Sequence, residues 1–115
     1  MSTVLLIEPH PESARRYADH LDRAGFRVEA VSAEAQRQEL LRPDLVIVSV
    51  PQLDRRQLQI IANGQAVPKI ALTSVAADVD RGSEFGFAAV LVRPVMYDDL
   101  VNEVRRVLKT VEEPA

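Results

Sequence analysis

The chain has no cysteine. That excludes disulfide frameworks, thiol nucleophiles and zinc or iron–sulfur sites built on thiolates, and it fits a reducing compartment. Long apolar runs are missing as well: uninterrupted ones such as Leu45–Val48 fall far short of the roughly 18 residues a membrane span needs. Nor does one sign of charge dominate. Fourteen basic residues against seventeen acidic leave a formal net charge of −3, so there is no global electrostatic footprint for nucleic acid or anionic lipid. All the basic residues except Lys69 and Lys109 are arginines, and the Arg15-Arg16, Arg55-Arg56 and Arg105-Arg106 pairs are each too small for a binding patch. The opening Met-Ser-Thr runs straight into an apolar segment, with no basic region and no small-residue cleavage site, so no leader is expected. These absences predict a cytoplasmic domain with no membrane contact and no direct nucleic-acid binding.

What is present is ordinary globular composition. The 115 residues are 47% hydrophobic and 27% charged, enough for one core and too few for two. We expect one domain over residues 1–112, with 113–115 as a tail or the start of a linker. No linker, repeat or low-complexity tract interrupts it.

Short apolar runs alternate with helical patterns along the chain. Val4–Ile7 has the length of a buried strand and ends at Glu8-Pro9-His10-Pro11. From Glu12 the period changes: Ala14, Tyr17, Ala18 and Leu21 mark one face of a helix, and Gly25 stands where a helix end wants a positive φ. Phe26, Val28 and Ala30 then alternate with Arg27 and Glu29 as a strand with one face packed less deeply. Ser32 can cap a short helix over 33–41, ended by Pro43-Asp44. Leu45–Val50 is apolar except for Ser49, the pattern of a central parallel strand covered on both faces. A third helix is expected over 55–63, ending at Gly64, and a fourth strand over 69–72, closed by Thr73-Ser74. The polar stretch 78–84 contains Gly82 and predicts only a short, weak helix. Ala88–Val92 reads as the fifth strand, followed by Arg93-Pro94. In the last helix Tyr97, Leu100, Val101, Val104, Leu108 and Val111 form a wide apolar stripe.

Five strands alternating with five helices through short loops predict an α/β fold, a doubly wound parallel five-stranded sheet with helices on both faces. In such sheets functional groups gather beyond the carboxyl ends of the strands. That rule selects Glu8, Pro9 and His10, then Ser49–Pro51, then Thr73-Ser74, then Arg93-Pro94. No glycine-rich loop follows Val4–Ile7, which weighs against a nucleotide.

At these residues the sequence resembles the receiver domains of bacterial two-component response regulators, over Val4 to about Val111. Val4–Glu8 looks like the first strand with its terminal acid. Pro43–Ser49 is similar to the family's Pro-Asp-(four apolar)-Asp third strand, Val67–Thr73 to the fourth strand with its switch hydroxyl, and Gly86–Pro94 to the fifth strand and its closing Lys-Pro. The resemblance implies a flavodoxin-like (βα)5 fold, strand order 2-1-3-4-5, and a cis peptide at Arg93-Pro94. It also implies a phosphoacceptor aspartate after the third strand, acids holding Mg²⁺, and a Thr and a Lys on the phosphoryl oxygens. That chemistry needs an oxygen nucleophile, a hard cation held by several carboxylates, and positive charge on the transferred group.

Matched residue by residue, most of these positions differ. Ser49 stands in the place of the phosphoacceptor, Pro9 in that of the second metal acid, Arg93 in that of the lysine, and Val90 in that of the aromatic switch residue. Glu8 and Thr73 fit. Arg93 presents a planar fork instead of a point charge, and a lone Glu8 supplies too few carboxylates for Mg²⁺. The degenerate pocket therefore comprises Glu8, Pro9, Ser49, Thr73, Arg93 and Pro94, with no catalytic residue, no metal and no cofactor. Arg93 is expected to turn into this pocket and pair with Glu8. Glu8 with His10 makes too small a set for a transition-metal site, and His20 is expected to face solvent.

The expected function is that of a degenerate receiver acting without phosphorylation, not an enzyme. It would be a protein-interaction or dimerisation module in signalling and the regulatory domain of a longer protein such as a transcription regulator. Its partner or second copy would dock on the fourth helix, fifth strand and fifth helix, at Phe87, Val90, Arg93 and Tyr97. Three other readings stay open: an unorthodox receiver accepting a phosphoryl group through Glu8, Ser49 or Asp54, a receiver-like small-ligand sensor, and a small α/β hydrolase or transferase.

Overall fold

The computed structural model describes residues 2–32, 43–53 and 67–112. The helices expected over 33–41 and 55–63, the tail 113–115 and Asp54 lie outside the described residues.

Strand β1 spans Thr3–Ile7, β2 Arg27–Val31, β3 Leu45–Ser49, β4 Lys69–Thr73 and β5 Ala89–Val92. All four pairings are parallel, in the order β2-β1-β3-β4-β5. Every residue of β3 is buried, because a central strand packs on both faces and can carry no polar alternation. The alternation appears instead as a division between two cores. Val4 and Leu6 of β1, Leu45 and Ile47 of β3 and Ile70 and Leu72 of β4 face one layer, while Leu5, Ile7, Val46, Val48 and Ala71 face the other.

The first layer is covered by α1 (Pro11–Arg23) and the C-terminal helix α2 (Tyr97–Glu112). Proline at the first position of α1 costs no hydrogen bond, since that N–H has no helical partner. At its other end Gly25 adopts φ 100°. The Gly25 N–H donates to the Asp22 carbonyl and the Phe26 N–H to the Leu21 carbonyl, the paired closure of a Schellman motif. Tyr17 and Leu21 then point at the core, meeting Leu100, Val104 and Leu108 of α2. Val107, which the stripe did not include, is also buried.

Two details of the pattern differ. Ala30 is exposed, while Val31 packs on the second core: on an edge strand the inward residues near its carboxyl end run past their cover. Residues expected as a weak fourth helix form two 3₁₀ segments, Ala76–Arg81 and Ser83–Phe85. Gly82 between them is buried beneath Val90 of β5, whose Cγ2 leaves no room for a Cβ.

Candidate functional site

Backbone bonds hold the ends of the strands in place. The Glu8 N–H donates to the Val31 carbonyl, the Val50 N–H to Leu72 and the Arg93 N–H to Thr73. Each extends a parallel ladder past the assigned strand, so the side chains that follow project from a fixed edge. Beyond that edge lies an open cleft of about 350 Å³ whose walls include Glu8, His10, Ser13, Ser49, Pro51 and Arg93. Of the expected pocket residues, Pro9 also lines it, whereas Thr73 and Pro94 do not.

Arg93 turns into the cleft, and the peptide between it and Pro94 is cis. Its partners are neutral. Nη1 donates to Ser49 Oγ and Nη2 to the Val50 carbonyl, while Nε and Nη2 reach Ser74 Oγ at 3.1 and 2.8 Å. The planar fork thus joins the ends of β3 and β4. Among the described residues no ion pair joins Arg93 to Glu8, so the expected Arg93–Glu8 fork is not formed.

Glu8 is only 5% exposed, yet no hydrogen bond or ion pair among the described residues holds its carboxylate. Its charge is felt by Tyr17, whose hydroxyl pKa is pushed up by burial first and by Glu8 second, with Arg93 opposing and Tyr97 adding. Ser49 is buried and accepts from a guanidinium. With no general base bonded to it among the described residues, the hydroxyl has nothing to make it a nucleophile.

Thr73 is turned away from the cleft. Fully buried, it donates to Asp78 Oδ2 at 2.7 Å and accepts from the Val75 N–H at 3.2 Å. The same Asp78 oxygen accepts from the Leu53 N–H at 2.8 Å, and Arg81 approaches the other oxygen at 3.7 Å. The Leu53 and Thr73 donors, with Arg81 adding less, hold the Asp78 carboxyl below the usual aspartate range against the opposing effect of its burial. This clamp joins the segments after β3 and β4 to the first 3₁₀ turn. The sequence reading did not single out Asp78, which sat in the polar stretch expected to form only a short, weak helix. Its signal was a Thr-Ser turn after a strand with an acid five residues beyond Thr73.

The candidate partner surface changes in composition. Phe87 is 8% exposed and belongs to the second core, because Gly86 turns the chain inward just before β5. Val90 and Tyr97 are half-buried against the two cores, and the half-buried Arg93 is held by the bonds above. Among the described residues the exposed large apolar side chains are Val75, Val79 and Met96. His20 is not free in solvent either: its ring stacks on Tyr97 at 4.0 Å and 7°, and Tyr97 meets Tyr17 edge-on at 5.8 Å. Two half-exposed helix faces gain more by stacking their rings than by hydrating them.

No family model matches the chain, and no curated protein does either. Solved structures do. The receiver domain of a signal transduction histidine kinase from Syntrophus aciditrophicus is 31% identical, with a TM-score of 0.78, over 100% of this chain and 96% of that one. The receiver domain of the Francisella response regulator 1452 superposes with a TM-score of 0.82 at 18% identity, over 96% and 99% of the two chains. The non-phosphorylated HemR receiver domain of Leptospira biflexa gives 0.77 at 22% identity, over 100% and 99%. The two more distant structures show the shared fold; the 31% identity over the full length shows kinship. The chain belongs to the receiver-domain family, signal-transduction modules of two-component systems that act through protein interactions.

The family implies Mg²⁺, and the donor set of this cleft does not fit it. Mg²⁺ demands near-octahedral oxygen ligation and sheds its water reluctantly. Here Glu8 is the one carboxylate among the described lining residues, Pro9 offers no side-chain donor, and the Ser49 and Val50 oxygens are bonded to a cation. Among the described residues no group of three His, Asp or Glu forms a metal cluster.

Proposed function

We propose that this domain is a receiver that works without phosphorylation, a protein-interaction or dimerisation module that serves as the regulatory domain of a signalling protein, such as a transcription regulator. The observation that carries the reading is the Arg93 guanidinium lying across Ser49 Oγ and the Val50 carbonyl, the edge at which a receiver would take up its phosphoryl group. β3 ends in Ser49, so among the described residues no aspartate stands at the strand end to act as nucleophile, and the fixed cation on neutral acceptors repels a divalent ion. Thr73, the hydroxyl that would respond to such a group, is committed to Asp78 instead.

The partner or second copy would dock on the side formed by the 3₁₀ segments, β5 and α2, with Val75, Val79 and Met96 the exposed apolar contacts. The net charge of −3 and the lack of a basic patch support a protein partner over nucleic acid. The test is incubation with acetyl phosphate and Mg²⁺ followed by intact-mass measurement. The expected spectrum is unchanged. A gain of about 80 Da, one phosphoryl group, would show an unorthodox receiver and overturn the reading.

A further inference from the structure

The cleft holds two opposite charges that do not meet. Among the described residues the 5% exposed Glu8 has no partner for its carboxylate, and Arg93 is bonded to neutral oxygens. The Glu8 carboxylate opens on the cleft and takes no donor from the described residues, so water or a ligand in the cleft must meet its charge. Arg93 uses four of its five N–H groups on the protein, which leaves one donor and an uncompensated positive charge.

A ligand for such a cleft must bring both signs. A bare cation would satisfy Glu8 and be repelled by Arg93, and a bare anion would meet the reverse. The cleft's volume of about 350 Å³ is at the small end for ligand sites, suited to a metabolite and not to a nucleotide. We infer that this cleft binds a small zwitterion of the α-amino-acid class, its ammonium on Glu8 and its carboxylate against the Arg93 guanidinium. The Ser13 hydroxyl and the His10 imidazole on the α1 side of the cleft then meet the ligand's side chain. The proposal does not depend on the phosphorylation-independent reading: amino-acid binding and phosphoryl uptake are measured separately, and either can fail alone.

The test is isothermal titration of the intact chain with each of the common amino acids, with ethylamine and acetate as half-ligands. At least one amino acid should bind saturably, and each half-ligand at least about tenfold more weakly. Glu8→Gln and Arg93→Met, each assayed well below its unfolding midpoint, should each weaken binding by about tenfold or more. Glu8→Gln carries a second signature: removing a charge that holds no partner among the described residues should leave the melting temperature unchanged or raised while binding falls. Amide shifts at Glu8, Ser13 and Ser49 on titration place the ligand in the cleft. Three outcomes overturn the proposal: no saturable binding of any amino acid up to about 10 mM, ethylamine binding as tightly as the amino acid, or Glu8→Gln binding unchanged.

Discussion

Replacing Arg93 by methionine keeps a long unbranched stem and deletes the cation that joins β3 to β4. Four hydrogen bonds end on three acceptors. Ser74 is exposed, so its hydroxyl turns to water at little cost. Ser49 and Val50 are 4% and 6% exposed, and each oxygen loses a charged donor. Such bonds contribute roughly 1.5–3 kcal/mol when the acceptor is left dry. Arg93 is itself half-exposed beside an open cleft, so water enters the vacated place and the lower part of that range applies. The two losses come to about 3 kcal/mol, or a fall of roughly 12 °C in Tm for a domain of this size. Arg93→Lys should recover at most about half, because a single ammonium cannot span acceptors on separate strands. Urea unfolding followed by circular dichroism measures both variants, with m unchanged. In a double-mutant cycle, Ser49→Ala with Arg93→Met should show a coupling of about 1 kcal/mol. Arg93→Met within about 0.5 kcal/mol of the parent, or zero coupling, would refute the claim that the guanidinium ties the strand ends.

Gly82→Ala drives a Cβ into Val90 Cγ2, and the stiff χ1 of valine makes this overpacking worth about 1–3 kcal/mol. Val90→Ala in the same chain should restore most of the loss, and a Gly82→Ala variant as stable as the parent in urea would contradict the packing. Asp78→Asn should destabilise at neutral pH, by weakening the acceptor of the Leu53 and Thr73 donors. Because the folded carboxyl titrates below its unfolded value, its contribution is complete above about pH 4 and is lost as pH falls through the lowered pKa. The gap in urea midpoint between parent and variant should therefore narrow below about pH 4, and a gap constant down to about pH 2.5 would remove Asp78 from the acid response.

The parts of the fold legible in the sequence were those fixed by local pattern. Leu45–Val48, like Val4–Ile7, reads as an inner strand because its consecutive apolar residues are buried on both faces of a parallel sheet. Gly25 marked the end of α1 because the closing motif there needs a positive φ. The strand-end rule selected, without reference to side-chain contacts, Glu8, Ser49 and Arg93, which line the candidate cleft. The Asp78 clamp was illegible for a definite reason: Leu53 donates across 25 positions, and nothing local distinguishes a buried acid from the solvated Asp80 and Glu84 beside it. The ring stack of His20 on Tyr97 was hidden likewise, because it depends on how two helices pack.

Arg93 shows where charge-based reasoning from sequence fails and geometry succeeds. Pairing it with Glu8 followed from Coulomb attraction, since Glu8 was the one acid among the strand-end residues. The strand order decides otherwise. Strands lie about 4.8 Å apart, so from β5 the edge of β3 is roughly 10 Å away and that of β1 roughly 14 Å. An arginine that follows β5 in the order β2-β1-β3-β4-β5 meets Ser74 after β4 and Ser49 on β3 first. Its donors are used there before the guanidinium can reach Glu8, one strand further on. The same geometry leaves Glu8 buried and unmatched on the far wall of the cleft. The residue that finds no partner among the described residues is thereby the one through which a ligand's ammonium can be recognised.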